Sequence, residues 1–246
     1  MKKKLLSVLL AGAMALSLAA CGNSTPAADN EGVMTYAEYA AADLDTEVTV
    51  ETYVQAHQSW WDNKVTVYTQ DDDGAYFLYE LQCSEEDAEK LVPGTKIRVS
   101  GFKSEWSGEV EIVDAKFEFV DDGTSFIASP VDLTDKLASD DLINYQNQLF
   151  AANGLTVVAR PSGNAFDYKW DNSGSHDENS DLYFDVQDAA GNTITLTIES
   201  YLCDNTTDIY ETVENLNVGD TVDVEGYLYW YEGANPHIVG MGVHPN

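Results

Sequence analysis

The sequence predicts a mainly β protein in which one small five-stranded unit occurs twice, behind an export signal. The first observation is a repeat: Leu91-Val92-Pro93-Gly94-Thr95-Lys96-Ile97-Arg98-Val99-Ser100-Gly101-Phe102 lies over Leu216-Asn217-Val218-Gly219-Asp220-Thr221-Val222-Asp223-Val224-Glu225-Gly226-Tyr227. The second is that upstream anchors match in the same order. Gln70-Asp71 with Gly74 matches Gln187-Asp188 with Gly191, Cys83 matches Cys203, and Trp61-Asp62-Asn63 matches Trp170-Asp171-Asn172. Their spacing steps along the chain as loop insertions in a duplicated module make it step. The third is that apolar and polar residues alternate in short runs between these anchors, the period of half-buried strands, with one helical stretch per repeat.

In the first repeat, Val48 to Ala56 and Lys64 to Gln70 alternate, and Asp73-Gly74 makes a hairpin turn into Ala75 to Cys83. The period then changes. Ser84 to Leu91 reads as a short helix, with Ser84 as N-cap, Asp87 completing a capping-box-like pair and Pro93-Gly94 as the stop. Strands at Thr95 to Lys103 and Glu109 to Phe119 follow, joined through a hairpin containing Trp106 and Gly108. The second repeat runs Leu155 to Arg160, Leu182 to Gln187, Thr193 to Cys203, a helix within Asn205 to Leu216, Thr221 to Tyr231, and His237 to Val243. Thr35-Tyr36-Ala37-Glu38 is a capping box opening a helix through Ala42, and Leu142 to Ala152 is read in the same part before the second repeat. Residues 121–138, with Pro130 and several Ser and Asp, read as a polar linker.

Three strands, a helix and two strands is the order of the OB-fold, a small Greek-key barrel that binds oligonucleotides or oligosaccharides on its second and third strands and two adjoining loops. More narrowly, Val218 to Tyr227, with Trp230-Tyr231-Glu232-Gly233 and Asn235-Pro236-His237-Ile238, resembles OB-type modules in exported lipoproteins of Gram-positive bacteria, a family of largely unknown function. The resemblance covers residues 33–120 and 139–246. It implies two tandem OB-fold-like five-stranded barrels, each with a short helix between its third and fourth strands. A fold does not by itself imply a function.

Residues 1–20 are different material: Lys2, Lys3 and Lys4 precede an apolar run from Leu5 to Ala20 that is short for a spanning helix and ends in small residues, as a signal peptide does. No later run is apolar enough to cross a bilayer. Leu18-Ala19-Ala20-Cys21-Gly22 resembles the bacterial lipoprotein signal, in which the Cys is lipidated on sulfur and becomes the mature N-terminus. Cys21 is therefore the expected lipidation site, residues 21–32 a polar tether, and the extracellular face of the cell membrane the expected location. Palmitate-like chains contribute about 0.8 kcal/mol per buried CH₂, enough for a diacylglyceryl group to hold the protein at a membrane. Cys83 and Cys203 remain; they occupy equivalent positions in the two repeats, which suits buried free thiols better than one disulfide.

The chain has 246 residues, 12 Lys plus Arg against 43 Asp plus Glu, and a formal net charge of −31. Phosphate neutralisation needs a basic stripe, so the sequence reading sets nucleic acid aside and favours a glycan, a cationic peptide or an envelope protein as partner. All five Trp fall in or beside the two loops that OB-folds use for ligands, and aromatic faces offer large contact area at small entropic cost. Trp60, Trp61, Trp106, Trp170, Trp230 and Tyr231 are the candidate ligand contacts. Residues 171–181 form the densest polar cluster; His176 and Leu182 stand where an EF-hand needs Gly and Glu, so a solvated loop is expected and no metal. No cofactor motif, metalloprotease His pair, nucleophile elbow or phosphate-binding loop occurs, and the expectation is a non-enzymatic binding module. The competing expectation is a structural or assembly protein that docks an envelope partner through its acidic surface.

Overall fold

A computed structural model describes residues 32–171 and 180–244. Five strands build the first barrel: β1 Glu47–His57, β2 Lys64–Gln70, β3 Ala75–Gln82, β4 Lys96–Trp106 and β5 Glu109–Phe119. They close in the order β1-β2-β3-β5-β4, with β4 returning to β1 through the register Glu47↔Phe102 to Tyr53↔Lys96. All neighbours are antiparallel except β3 and β5, which meet in parallel at Phe77↔Glu111 and Leu78↔Ile112. Alternation decides sidedness: along β1, Val48, Val50, Thr52 and Val54 are buried while Glu47 faces solvent. With Leu78, Leu81, Ile97, Val99 and Ile112 these valines form the first core.

Two helices close this barrel. α1, Tyr36–Ala41, carries the full capping box, Thr35 accepting from the Glu38 amide and Glu38 reaching back to the Thr35 amide. α2, Glu85–Ala88, lies between β3 and β4 with Ser84 Oγ accepting from the Asp87 amide at 3.1 Å; it is shorter than the expected Ser84 to Leu91.

The second barrel follows as β6 Val131–Asp132, β7 Leu149–Val158, β8 Phe166–Asp167, β9 Leu182–Gln187, β10 Thr193–Ile198, α3 Asp208–Glu214, β11 Thr221–Tyr227 and β12 His237–His244. Its ring runs β7-β11-β12-β10-β9, and β9 returns to β7 through Thr156↔Gln187 to Val158↔Asp185. β6 and β8 flank it, and α3 again lies between the third and fourth ring strands. The chain is thus mainly β, two closed OB barrels in tandem.

Three expected strands have other bounds, β7 beginning at Leu149 rather than Leu155, β10 ending at Ile198 and β11 at Tyr227, and one expected helix is absent. Leu142 to Ala152 is no helix: a 3-10 turn spans Asp140–Tyr145 under the Ser139 cap, Asn147 then takes a left-handed conformation (φ 66), and β7 begins at Leu149. Pairing of Phe150 and Ala152 with β11, and burial of both side chains, outweighs the local helical pattern.

Residues from Gly32 onward form one compact unit, held by a seam between the barrels. Tyr68 and Phe77 from the first barrel meet Leu149 and Tyr227 from the second, with Ala128 between. Tyr68 stacks on Tyr227 at 4.7 Å, and its Oη lies 2.7 Å from His237 Nδ1. Burial pushes the His237 imidazole down to about 3, so it is neutral in the seam. Residues 121–138, expected as a linker, lie against both barrels: Gln55 Oε1 accepts from the Ala128 amide at 2.8 Å, β6 pairs with β7, and Leu133 and Leu137 enter the second core.

Candidate functional site

Beyond His57 the chain leaves the first barrel and turns back sharply. Asp62 and Asn63 take left-handed conformations (φ 49 and 61), and Trp61 and Lys64 exchange both backbone hydrogen bonds at 3.0 Å. This tight hairpin sends the two neighbouring tryptophans in opposite directions. Trp60 packs against the first core with its Nε1 donating to the Cys83 carbonyl at 2.9 Å, whereas Trp61 is 69 % exposed.

Opposite Trp61, the β2–β3 ladder carries a bulge between Val65 and Val67, and Glu80 on β3 is left-handed (φ 49). That bulge presents Tyr79 and Glu80 at the surface, where Lys64 Nζ meets Glu80 Oε2 at 2.6 Å. The second barrel supplies the third ring. After β10 the chain makes a turn whose Leu202 amide donates to Glu199 Oε2 at 2.8 Å, and this turn projects Tyr201, 64 % exposed. Burial, with Asp181 nearby, pushes the Glu199 carboxyl up to about 7. Ser59 fastens the turn to the first barrel by donating its amide to the Tyr201 carbonyl at 2.7 Å.

Trp61, Tyr79 and Tyr201 thus line one cleft of about 450 Å³, with Gln58, Thr66 and the Lys64–Glu80 pair supplying polar groups. It sits on the second and third strands and the first loop of an OB barrel and is completed from the other barrel. Three aromatic faces around hydrogen-bonding side chains form a surface for a ligand with both apolar faces and polar edges.

The six candidate residues do not gather in one place. Trp61 lines the cleft. Trp106 is exposed at the end of β4, and Trp170 is exposed beside β8, its carbonyl accepting from Arg160 Nη2 at 3.1 Å. Trp230 packs on the second core, and a Cβ at Gly108 of the first barrel would stand 2.7 Å from its indole, so this ring is part of the seam. Tyr231 is about half exposed next to it. Tyr79 and Tyr201 were not among the candidates. Tyr79 carries a faint signal, an aromatic followed by Glu within a strand, but nothing in the sequence brings Tyr201 to Trp61.

Cys83 and Cys203 are free and buried, burial pushing both thiols up to about 11. Among the described residues no group of three or more His, Cys, Asp or Glu is arranged to hold a metal ion. Of the polar loop, Asp181 accepts from the Ser200 amide and hydroxyl, and residues 172–179 lie outside the described residues, as do Cys21 and the signal and tether up to residue 31.

No protein-family model and no curated protein matches the chain. Similar solved structures include a murine DNA-binding protein bound with double-stranded DNA, at 10% identity over 80% of this chain and 96% of that one, TM-score 0.38. The Ifi202 HINa domain in complex with 20-base-pair double-stranded DNA is similar at 14% identity over 82% and 96%, TM-score 0.34. The exclusion of nucleic acid drawn from charge is corrected by these structures, which hold DNA. Net charge is a sum over the whole surface, whereas a groove is a local property, so the sum cannot strike a ligand class from the list. Identities of 10% and 14% with TM-scores of 0.38 and 0.34 assign no ligand to this chain.

Proposed function

We propose that this protein is a membrane-anchored extracellular lipoprotein acting as a non-enzymatic binding module, and that its ligand is a glycan held in the Trp61–Tyr79–Tyr201 cleft. The convergence of three exposed aromatic side chains from both barrels on one cleft carries this reading. Sugar rings present apolar C–H faces to aromatic rings and hydroxyls to polar side chains, and Gln58, Thr66, Lys64 and Glu80 supply donors and acceptors. The non-enzymatic part rests on the cleft's charges: Lys64 and Glu80 are committed to each other at 2.6 Å, which leaves neither poised as a base. The anchor rests on the order of charged region, apolar run and Cys21 in the sequence.

A panel of neutral oligosaccharides titrated against the intact protein, with indole fluorescence as readout, tests the ligand class. A saturable response that disappears in Trp61→Ala and persists in Trp170→Ala is expected. No saturable response to any glycan, or an equal response in both variants, would overturn it.

A further inference from the structure

Glu109, the first residue of β5, is fully buried at 0 % exposure in the seam and reaches across to the second barrel. Its Oε2 accepts from the Trp230 amide at 2.9 Å and from Gln146 Nε2 at 3.3 Å, and the Asn147 side chain lies within hydrogen-bond reach of the carboxyl. Its other oxygen, Oε1, has no hydrogen-bond partner, and neither has the buried Asn147 Oδ1. A buried acceptor left without a donor is costly, and a proton on the carboxyl turns Glu109 from acceptor into donor.

The surroundings favour that proton. Burial pushes the Glu109 carboxyl up to about 8, with Glu111 on the same strand adding to it, against the opposing pull of the hydrogen bonds from Asn147, Trp230 and Gln146. The other titratable groups near it are Tyr39 on α1, Tyr68 on β2 and Tyr229 beyond β11, while the buried Lys103 on β4, which lines one cavity with Tyr39, Gln146 and Asn147, gives its ammonium to the Tyr39, Ala40 and Ala42 carbonyls. The same corner carries the rest of the clasp. Gln146 Nε2 donates to the Gly108 carbonyl at 2.8 Å, Asn147 Nδ2 to the Val110 carbonyl at 3.2 Å, and the Glu232 amide to the Ser107 carbonyl at 2.7 Å.

We propose that Glu109 is a proton-operated latch: protonated, it donates to Asn147 while accepting from Trp230 and closes the seam; ionised, it loosens the seam and with it the Tyr201 side of the cleft. An ionised Glu109 leaves a buried anion with one unpaired oxygen near Glu111, and admitting water between the barrels is the route that relieves it. Tyr201 follows because Ser59 holds its carbonyl across the same seam. The link to ligand binding rests on the cleft reading above; the latch itself does not.

Hydrogen exchange on the intact protein, corrected for intrinsic rates, tests it without any ligand. Because opening the seam releases the Glu109 proton, protection of the Trp230 and Ser59 amides is expected to fall by up to about tenfold per pH unit from pH 5 to 7.5 and to level off above about pH 8. Glu109→Gln, which keeps the acceptor and replaces the proton with an amide N–H, should hold its protection at pH 9. Glu111→Gln should keep a pH response, with its midpoint moved down because one neighbouring charge is gone. Protection in the wild type that is flat over this range, a fall in Glu109→Gln equal to wild type, or a response abolished by Glu111→Gln instead would each overturn the latch. If Glu109→Gln fails to fold, difference infrared spectra of the unmodified protein decide: a protonated buried carboxyl still titrating near pH 8 supports the latch, and its absence refutes it. Because no glycan is present, failure of the ligand reading leaves these results intact.

Discussion

Gly226 on β11 sits where the ladder to β12 shifts register, between Glu225↔Gly240 and Gly226↔Ile238. A Cβ there would stand 2.3 Å from the His237 carbonyl oxygen and 3.0 Å from the His237 carbonyl carbon and Ile238 Cα, all backbone atoms that no rotamer change can move. Ordinary contact needs roughly 1 Å more, so Gly226→Ala has to open the ladder at this bulge. Loss of about two ladder hydrogen bonds at roughly 1 kcal/mol each, added to about 1–3 kcal/mol for overpacking, gives about 3–5 kcal/mol. Gly101 occupies the matching bulge of the first barrel, but its added Cβ meets the Ile112 side chain and Val113 carbonyl at 2.8 Å, a softer contact worth about 1–3 kcal/mol. Gly240→Ala is the control, its Cβ meeting only Glu225 Cβ at 3.6 Å. Reduced freedom of the unfolded chain should make it neutral or slightly stabilising, by about 0.4–1 kcal/mol. Urea unfolding followed by fluorescence and circular dichroism gives the three values. A cost for Gly226→Ala below about 1 kcal/mol, or one no larger than that of Gly240→Ala, would refute the reasoning.

Cys21→Ser should move the protein from the detergent phase to the aqueous phase in a partition assay while leaving the barrels folded; retention in the detergent phase would count against the anchor. Unfolding should be one coupled transition, because burying Tyr68, Phe77, Leu149 and Tyr227 in the seam contributes about 1.5–3 kcal/mol each, comparable in sum with the stability of a small domain. Calorimetry that resolves two transitions, with Gly226→Ala shifting only one, would contradict this. Stability should peak at about pH 5. Glu109, Glu111 and Glu199 are raised to about 8, 7 and 7, so each holds a proton the unfolded chain has lost, and their contribution is full below pH 4.5 and lost as pH rises through 7 to 8. His237, lowered from 6.5 to about 3, works in the opposite sense: its contribution is full above pH 6.5 and fades as pH falls toward 3. Three carboxyls outweigh one imidazole between pH 4.5 and 6.5, and a thermal midpoint that rises from pH 5 to 8.5 would show the signs to be wrong.

The barrels were legible in the sequence because their determinants are local. Alternation sets which side of β1 faces the core, Ser84 caps α2, and Asp71 Oδ1 accepts from the Asp73 and Gly74 amides to make the hairpin turn that the Asp-Gly pair announces. Sidedness in the loops was not legible. Trp60 and Trp61 are identical in type and adjacent in sequence, yet Trp60 packs on the core with its Nε1 on the Cys83 carbonyl while Trp61, at the left-handed Asp62-Asn63 turn, meets solvent. The seam was hidden because β2 is buried on both faces from Val65 to Thr69, a pattern that a period-two reading cannot assign to a core and an interface. Tyr201 was out of reach for a related reason. Its place beside Trp61 depends on how two barrels dock, through Ser59 and the Glu199-held turn, and no spacing within either repeat encodes that.

Tyr201→Ala is the most direct test of a ligand cleft shared by the two barrels. Tyr201 is well exposed and belongs to neither core, so its removal should leave folding unchanged. Calorimetric titration of the best-binding oligosaccharide against the intact protein should show at least a tenfold loss of affinity in Tyr201→Ala, about 1.4 kcal/mol, as truncation of a central aromatic contact gives. Tyr231→Ala, at a tyrosine about half exposed and outside the cleft lining, should bind as wild type does. Unchanged affinity in Tyr201→Ala, or an equal loss in Tyr231→Ala, would contradict the shared cleft.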